Sequence, residues 1–132
     1  MKKTNLIAIT LLIALFASLV GCSSPPSTLI LKDVGPTLNF TVIEITNSVG
    51  DIKNCGVIGT DEVLSTIWEI KFSRDVRFRN QYDVLYQIKF LAGSSERKTM
   101  YILGDDSIVY DGYIYKALDD SIDLDYLATI FE

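Results

Sequence analysis

Carboxylates dominate the last part of the chain. From Gly104 onward Asp105, Asp106, Asp111, Asp119, Asp120, Asp123, Asp125 and Glu132 stand against a single Lys116, whereas residues 22–104 are close to balanced. Clustered carboxylates suit hard cations, and Asp119-Asp120-Ser121-Ile122-Asp123-Leu124-Asp125 is the segment to test for calcium. A helix-loop-helix calcium loop needs Gly at its sixth position and Glu at its twelfth; counted from Asp119 these are Leu124 and Ile130, so the motif fails. Turn aspartates followed by acids at a helix N-terminus account for the same residues. No metal and no cofactor is expected, and Asp119, Asp120, Asp123 and Asp125 are taken as a candidate face for a protein partner.

Other groups offer less chemistry. Asp105 and Asp106 could share acid–base work, but neighbours in a hairpin turn point apart and stay exposed. Arg74, Arg77 and Arg79 alternate with Val76 and Phe78, as a strand with one solvated side would, and could touch a phosphate or a lipid headgroup. Seven tyrosines lie in the second half. Tyrosine serves both strand packing and recognition, so a face presenting Tyr101, Tyr113 and Tyr115 is a candidate contact surface if those rings are exposed. The chain has no histidine, which removes the commonest general base and zinc ligand, and it has no nucleophile elbow, phosphate loop or metal-cysteine set. No catalytic residue is assigned and no enzyme is expected. A net charge of −5 argues against nucleic acid as a partner.

The other informative segment is the beginning. Met1-Lys2-Lys3 gives a positive start, and Leu6 to Val20 is an apolar run shorter than the roughly 20 residues that span a bilayer as a helix. It ends in Leu19-Val20-Gly21-Cys22, followed by Ser23-Ser24-Pro25-Pro26-Ser27-Thr28. These residues resemble the signal peptide and lipobox of bacterial lipoproteins. The resemblance implies removal of residues 1–21 and a diacylglyceryl group on Cys22, which would hold the protein to a lipid bilayer. Several acyl chains on one residue make such an attachment lasting where one is marginal. The absence of Asp after Cys22 implies the outer membrane in a two-membrane bacterium, and otherwise the outer face of the plasma membrane. Cys55 is then the one remaining thiol, with no internal disulfide to form, and reads as a half-buried small residue.

The elements that must position these groups follow from periodicity. Residues 22–36 read as the lipidated cysteine and a short Ser/Pro tether, and 37–132 as a single domain. Leu38 to Ile45 has strand composition. Thr60 could cap a helix carrying Val63, Leu64, Ile67, Trp68 and Phe72 on one side. Tyr82 to Leu91 alternates strictly and predicts a strand with one face on the core. Thr99–Leu103, Ile108–Tyr110 and Tyr113–Tyr115, separated by Gly104–Ser107 and Asp111-Gly112 turns, continue it as a meander. Leu124, Leu127, Ala128 and Phe131 predict a closing helix capped by Ser121 or Asp123. The expected class is α+β: an antiparallel β-meander with two amphipathic helices packed on one face. The function expected from these features is that of a non-catalytic binding or assembly module with an envelope protein partner. The alternative is an inhibitor, immunity or exclusion lipoprotein that blocks a foreign enzyme or phage function.

Overall fold

The alternation that predicts the central strand also fixes its depth. In the computed structural model, which describes residues 25–132, Ile88 and Phe90 are buried while Gln87 and Lys89 are partly exposed. The expected signal segment, the lipobox and Cys22 lie outside the described residues.

Eight strands form one antiparallel sheet: β1 (Thr28–Leu29), β2 (Val42–Asn47), β3 (Ile52–Asn54), β4 (Phe72–Arg77), β5 (Tyr86–Ala92), β6 (Ser95–Gly104), β7 (Ser107–Tyr110) and β8 (Tyr113–Ala117). Their spatial order is β1-β4-β8-β7-β6-β5-β2-β3, so the meander β5 to β8 is central and β1 and β3 are the margins. The β7–β8 turn is built on left-handed backbone at Asp111 (φ 50°) and Gly112 (φ 80°), the two-residue connection that the dipeptide favours.

Among the described residues there are three helices, α1 (Leu31–Val34), α2 (Gly56–Ser65) and α3 (Leu124–Thr129), with a 3-10 turn at Gly35–Leu38. The expected first helix is displaced. Asn54 Oδ1 accepts from Gly56 N–H at its start, the helix ends before Trp68, and Phe72 opens β4. Thr60 is buried mid-helix, where its Oγ1 accepts from Ile43 N–H at 2.9 Å. Ladder pairing between β2 and β3 covers only Glu44 to Thr46, so the Thr60 hydroxyl serves the strand N–H that β3 is too short to reach. The closing helix begins as expected, with Asp123 Oδ1 accepting from Tyr126 N–H at 3.0 Å. Helices α2 and α3 meet along a crevice lined by Cys55, Gly59, Val63, Tyr126 and Ile130.

One core joins these parts. Ile43 and Ile45 of β2, Ile88 and Phe90 of β5, Met100 and Ile102 of β6, Ile108 of β7, Tyr115 of β8 and Phe72 of β4 are buried together with Val63, Leu64 and Leu127 from the helices. Residues 25–36, expected as part of the tether, belong to this domain. β1 pairs with β4 through Thr28 and Leu29, Leu29 and Leu31 are 1% exposed, and Lys32 N–H donates to Trp68 O. Gly35 lies under the Trp68 indole so closely that a Cβ there would fall 2.1 Å from Cη2. The two leucines explain the difference, because a polar, proline-bearing start conceals the apolar residues that follow it. Across the sheet, Val109 and Ile114 are also buried, on the side where Phe78 stacks on Tyr101 and Tyr82.

Candidate functional site

The antiparallel register places the acidic segments together. β6 ends and β7 begins at the Asp105–Asp106 turn, and β8 runs back to the same end of the sheet before the chain enters 118–123. Two backbone hydrogen bonds stitch the segments: Ala117 N–H to Asp106 O at 2.7 Å and Ile122 N–H to Asp105 O at 2.6 Å. Ile122 is thereby buried, while Asp105, Asp106, Asp119, Asp120, Asp123 and Asp125 remain exposed. An open cavity of about 540 Å³ is lined by Asp105, Ser121, Ile122, Asp123, Leu124 and Asp125; Asp106, Asp119 and Asp120 lie outside its lining.

Local bonds set the carboxylates. Asp123 caps α3, and Asp120 Oδ1 accepts from Ser121 N–H at 2.8 Å. Among the described residues no group of three or more acidic or cysteine side chains is gathered as cation ligands would be. The carboxylates therefore act as separate charges around a shared opening.

Leu124 links this opening to a second groove of about 310 Å³, lined by Asn47, Ser48, Val49, Leu85, Tyr86, Leu124, Ala128 and Phe131. Tyr86 and Phe131 stack there with centroids 6.1 Å apart, and Val49 at its rim is 79% exposed. The sequence reading missed this groove because its walls come from β2, β5 and α3, far apart in the chain. The acidic opening, by contrast, follows from the meander, whose antiparallel strands return the Asp105–Asp106 turn and the exit from β8 to one end.

The tyrosines divide. Tyr101 faces Val109 across the ladder and Val109 faces Ile114, so Tyr101 lies on one face while Tyr113 and Tyr115, flanking Ile114, lie on the other. They do not form one contact surface. Tyr115 is 0% exposed and its hydroxyl donates to Pro26 O at 2.9 Å; it is a core residue that grips the start of the chain. Tyr101 is half-buried against Phe78. Tyr113 is half-buried beneath Arg74 and Arg77, whose guanidinium carbons lie 5.4 and 5.8 Å from its ring centroid.

Two further groups bear on reactivity. Lys116 Nζ donates to Ser107 Oγ at 2.8 Å, and Ser107 Oγ donates to Asp106 Oδ1 at 2.6 Å. A lysine general base would take the serine proton; in this arrangement lysine is the donor and the proton is directed to the carboxylate, so the trio braces the turn. Cys55 packs half-buried at the start of α2, and burial pushes its thiol pKa up, with Lys53 opposing in part. That is the direction of an unreactive thiol.

No helix among the described residues is long and apolar enough to cross a membrane. Comparison of the chain with protein-family models, with curated proteins and with solved structures finds no match.

Proposed function

We propose that the protein is a lipid-anchored envelope lipoprotein, held through acylated Cys22, that acts as a non-catalytic binding module. Its acidic end engages a basic, apolar-bearing segment of an envelope protein. The observation that carries this reading is the junction at Leu124 of a carboxylate-rimmed opening and an apolar groove. An apolar side chain fits the groove beside Tyr86 and Phe131, while a neighbouring lysine or arginine meets Asp105, Asp123 and Asp125. Such complementarity speeds encounter and discriminates between partners. The helices α2 and α3, both contributing to the core, are read as the two amphipathic elements that back the sheet, and α3 lends Leu124 and Ala128 to the groove.

The carboxylate opening lies beyond Ala117, and the first described residues run beside β4 at the level of Tyr115, midway along β8. Crosslinking in living cells, followed by capture and mass spectrometry, tests the reading. One envelope protein is expected with the full-length chain and not with Asp119/Asp120/Asp123/Asp125→Asn; capture unchanged by the variant overturns the acidic-face assignment. Loss of every host partner, with capture of a foreign basic enzyme, would favour a blocking lipoprotein using the same face. The anchor has its own test. Cys22→Ser is expected to abolish labelling by palmitate and release the protein from membranes, and labelling that persists overturns acylation at Cys22.

A further inference from the structure

The first described residues are gripped against β4 at the level of Tyr115, halfway along β8. Arg74 Nη1 donates to Pro25 O at 2.5 Å, Tyr115 Oη to Pro26 O, and Arg74 N–H to Ser27 O at 2.8 Å. Beside this clamp runs a stripe in which cations and tyrosines alternate. Arg74 and Arg77 cover Tyr113, Tyr113 pairs with Tyr110 across the β7–β8 turn, and Lys98 Nζ lies 4.8 Å from the Tyr110 ring centroid. Arg79 extends the stripe outward, since Phe78 N–H donates to Gly112 O beyond the end of β4. The acids nearby are Asp111, paired with Lys98, Glu96, bonded to Thr99, and exposed Asp75.

We infer that the cations of this stripe, led by exposed Arg77 and Arg79 and laid over half-buried Tyr113 and the core residue Tyr110, dock on anionic lipid headgroups and fix the orientation of the domain on its membrane. The inference rests on the proposed acylation of Cys22. Two residues separate Cys22 from clamped Pro25, and at about 3.6 Å per residue the lipidated atom can lie no more than about 11 Å from it. Long cationic side chains on aromatic rings, with the charge outward, are the chemistry of a headgroup layer. From Tyr113 to Ala117 the strand makes four rises of about 3.4 Å, so the acidic end stands about 14 Å beyond the Tyr113 row. That exceeds the screening length of about 8 Å at physiological salt, so its carboxylates do not oppose the attraction.

Full-length protein purified from membranes tests this in two steps. Mass spectrometry of its N-terminal peptide reports acylation of Cys22. Amide hydrogen exchange is then followed in nanodiscs of phosphatidylcholine alone or with phosphatidylglycerol. Each cation near an anionic surface contributes about fivefold in binding, so exchange across 74–79 and 110–113 is expected to slow severalfold only in the anionic discs. Arg77→Gln/Arg79→Gln, which leaves the Arg74 clamp intact, is expected to lose that slowing. Acylated protein with equal exchange in both discs overturns the inference and leaves the anchor standing, whereas an unmodified Cys22 overturns both. Protection in neutral discs by free glycerol phosphate would also overturn it, in favour of a soluble phosphate ligand.

Discussion

At the scale of single residues, packing and burial decide more than reactivity. Gly35 has ordinary helical dihedrals (φ −55°), so its role is the space it leaves for Trp68. Gly35→Ala is expected to destabilise the protein by about 1–3 kcal/mol, as overpacking does; Gly35→Ala/Trp68→Phe should recover much of this in a denaturation cycle, because the shorter ring vacates the contact. Tyr110 gives a pH signature. Burial first, then Asp111 and Tyr115, pushes its pKa up to about 12 from 10. The folded state thus keeps a proton that the unfolded chain gives up, and this stability, complete below pH 10, is lost as pH rises from 10 to 12. The melting temperature should fall more steeply across that window in the native chain than in Tyr110→Phe. Equal slopes would show that Tyr110 does not carry the effect.

At the scale of elements, the strands were legible and the first helix was shifted. Alternation and the Asp111-Gly112 turn specify the meander because a strand on a core must alternate, and its short turn needs positive φ; the strand expected from Tyr82 begins only at Tyr86, and the one expected over Leu38 to Ile45 runs from Val42 to Asn47. Thr60 followed by Asp61 and Glu62 has the composition of a helix start, yet the hydroxyl serves Ile43 of β2 instead. Local sequence could not reveal that the margin strand β3 stops short of Ile43. Thr60→Val keeps the shape and strands that buried N–H, at an expected cost of about 1–3 kcal/mol. Thr60→Ser, which keeps the acceptor, should cost less, and hydrogen exchange at Ile43 should speed up in the valine variant alone. The candidate site was legible as composition. The acids stood out along the chain, whereas the groove beside them depends on β2, β5 and α3 converging.

At the scale of the whole molecule, the sheet ties the first described residues to the end of the meander, with β1 beside β4 and β4 beside β8. Residues 28–31 are therefore structural. Leu29→Ala is expected to cost about 2–5 kcal/mol, read as a lower denaturation midpoint of one cooperative transition; an unchanged midpoint would show β1 to be a detachable strap. The charge layout follows from the same topology, with Arg77 and Lys98 at the Tyr110–Tyr113 end of the strands, the acidic segments beyond Ala117, and the first described residues beside β4 between the two. The lone tryptophan sits where this wrapping closes, over Gly35 and edge-on to Phe40 at 6.4 Å. The molecule thereby carries its own optical probe. In the purified protein, emission from Trp68 reports without any label whether Leu29 to Gly35 are seated against the domain.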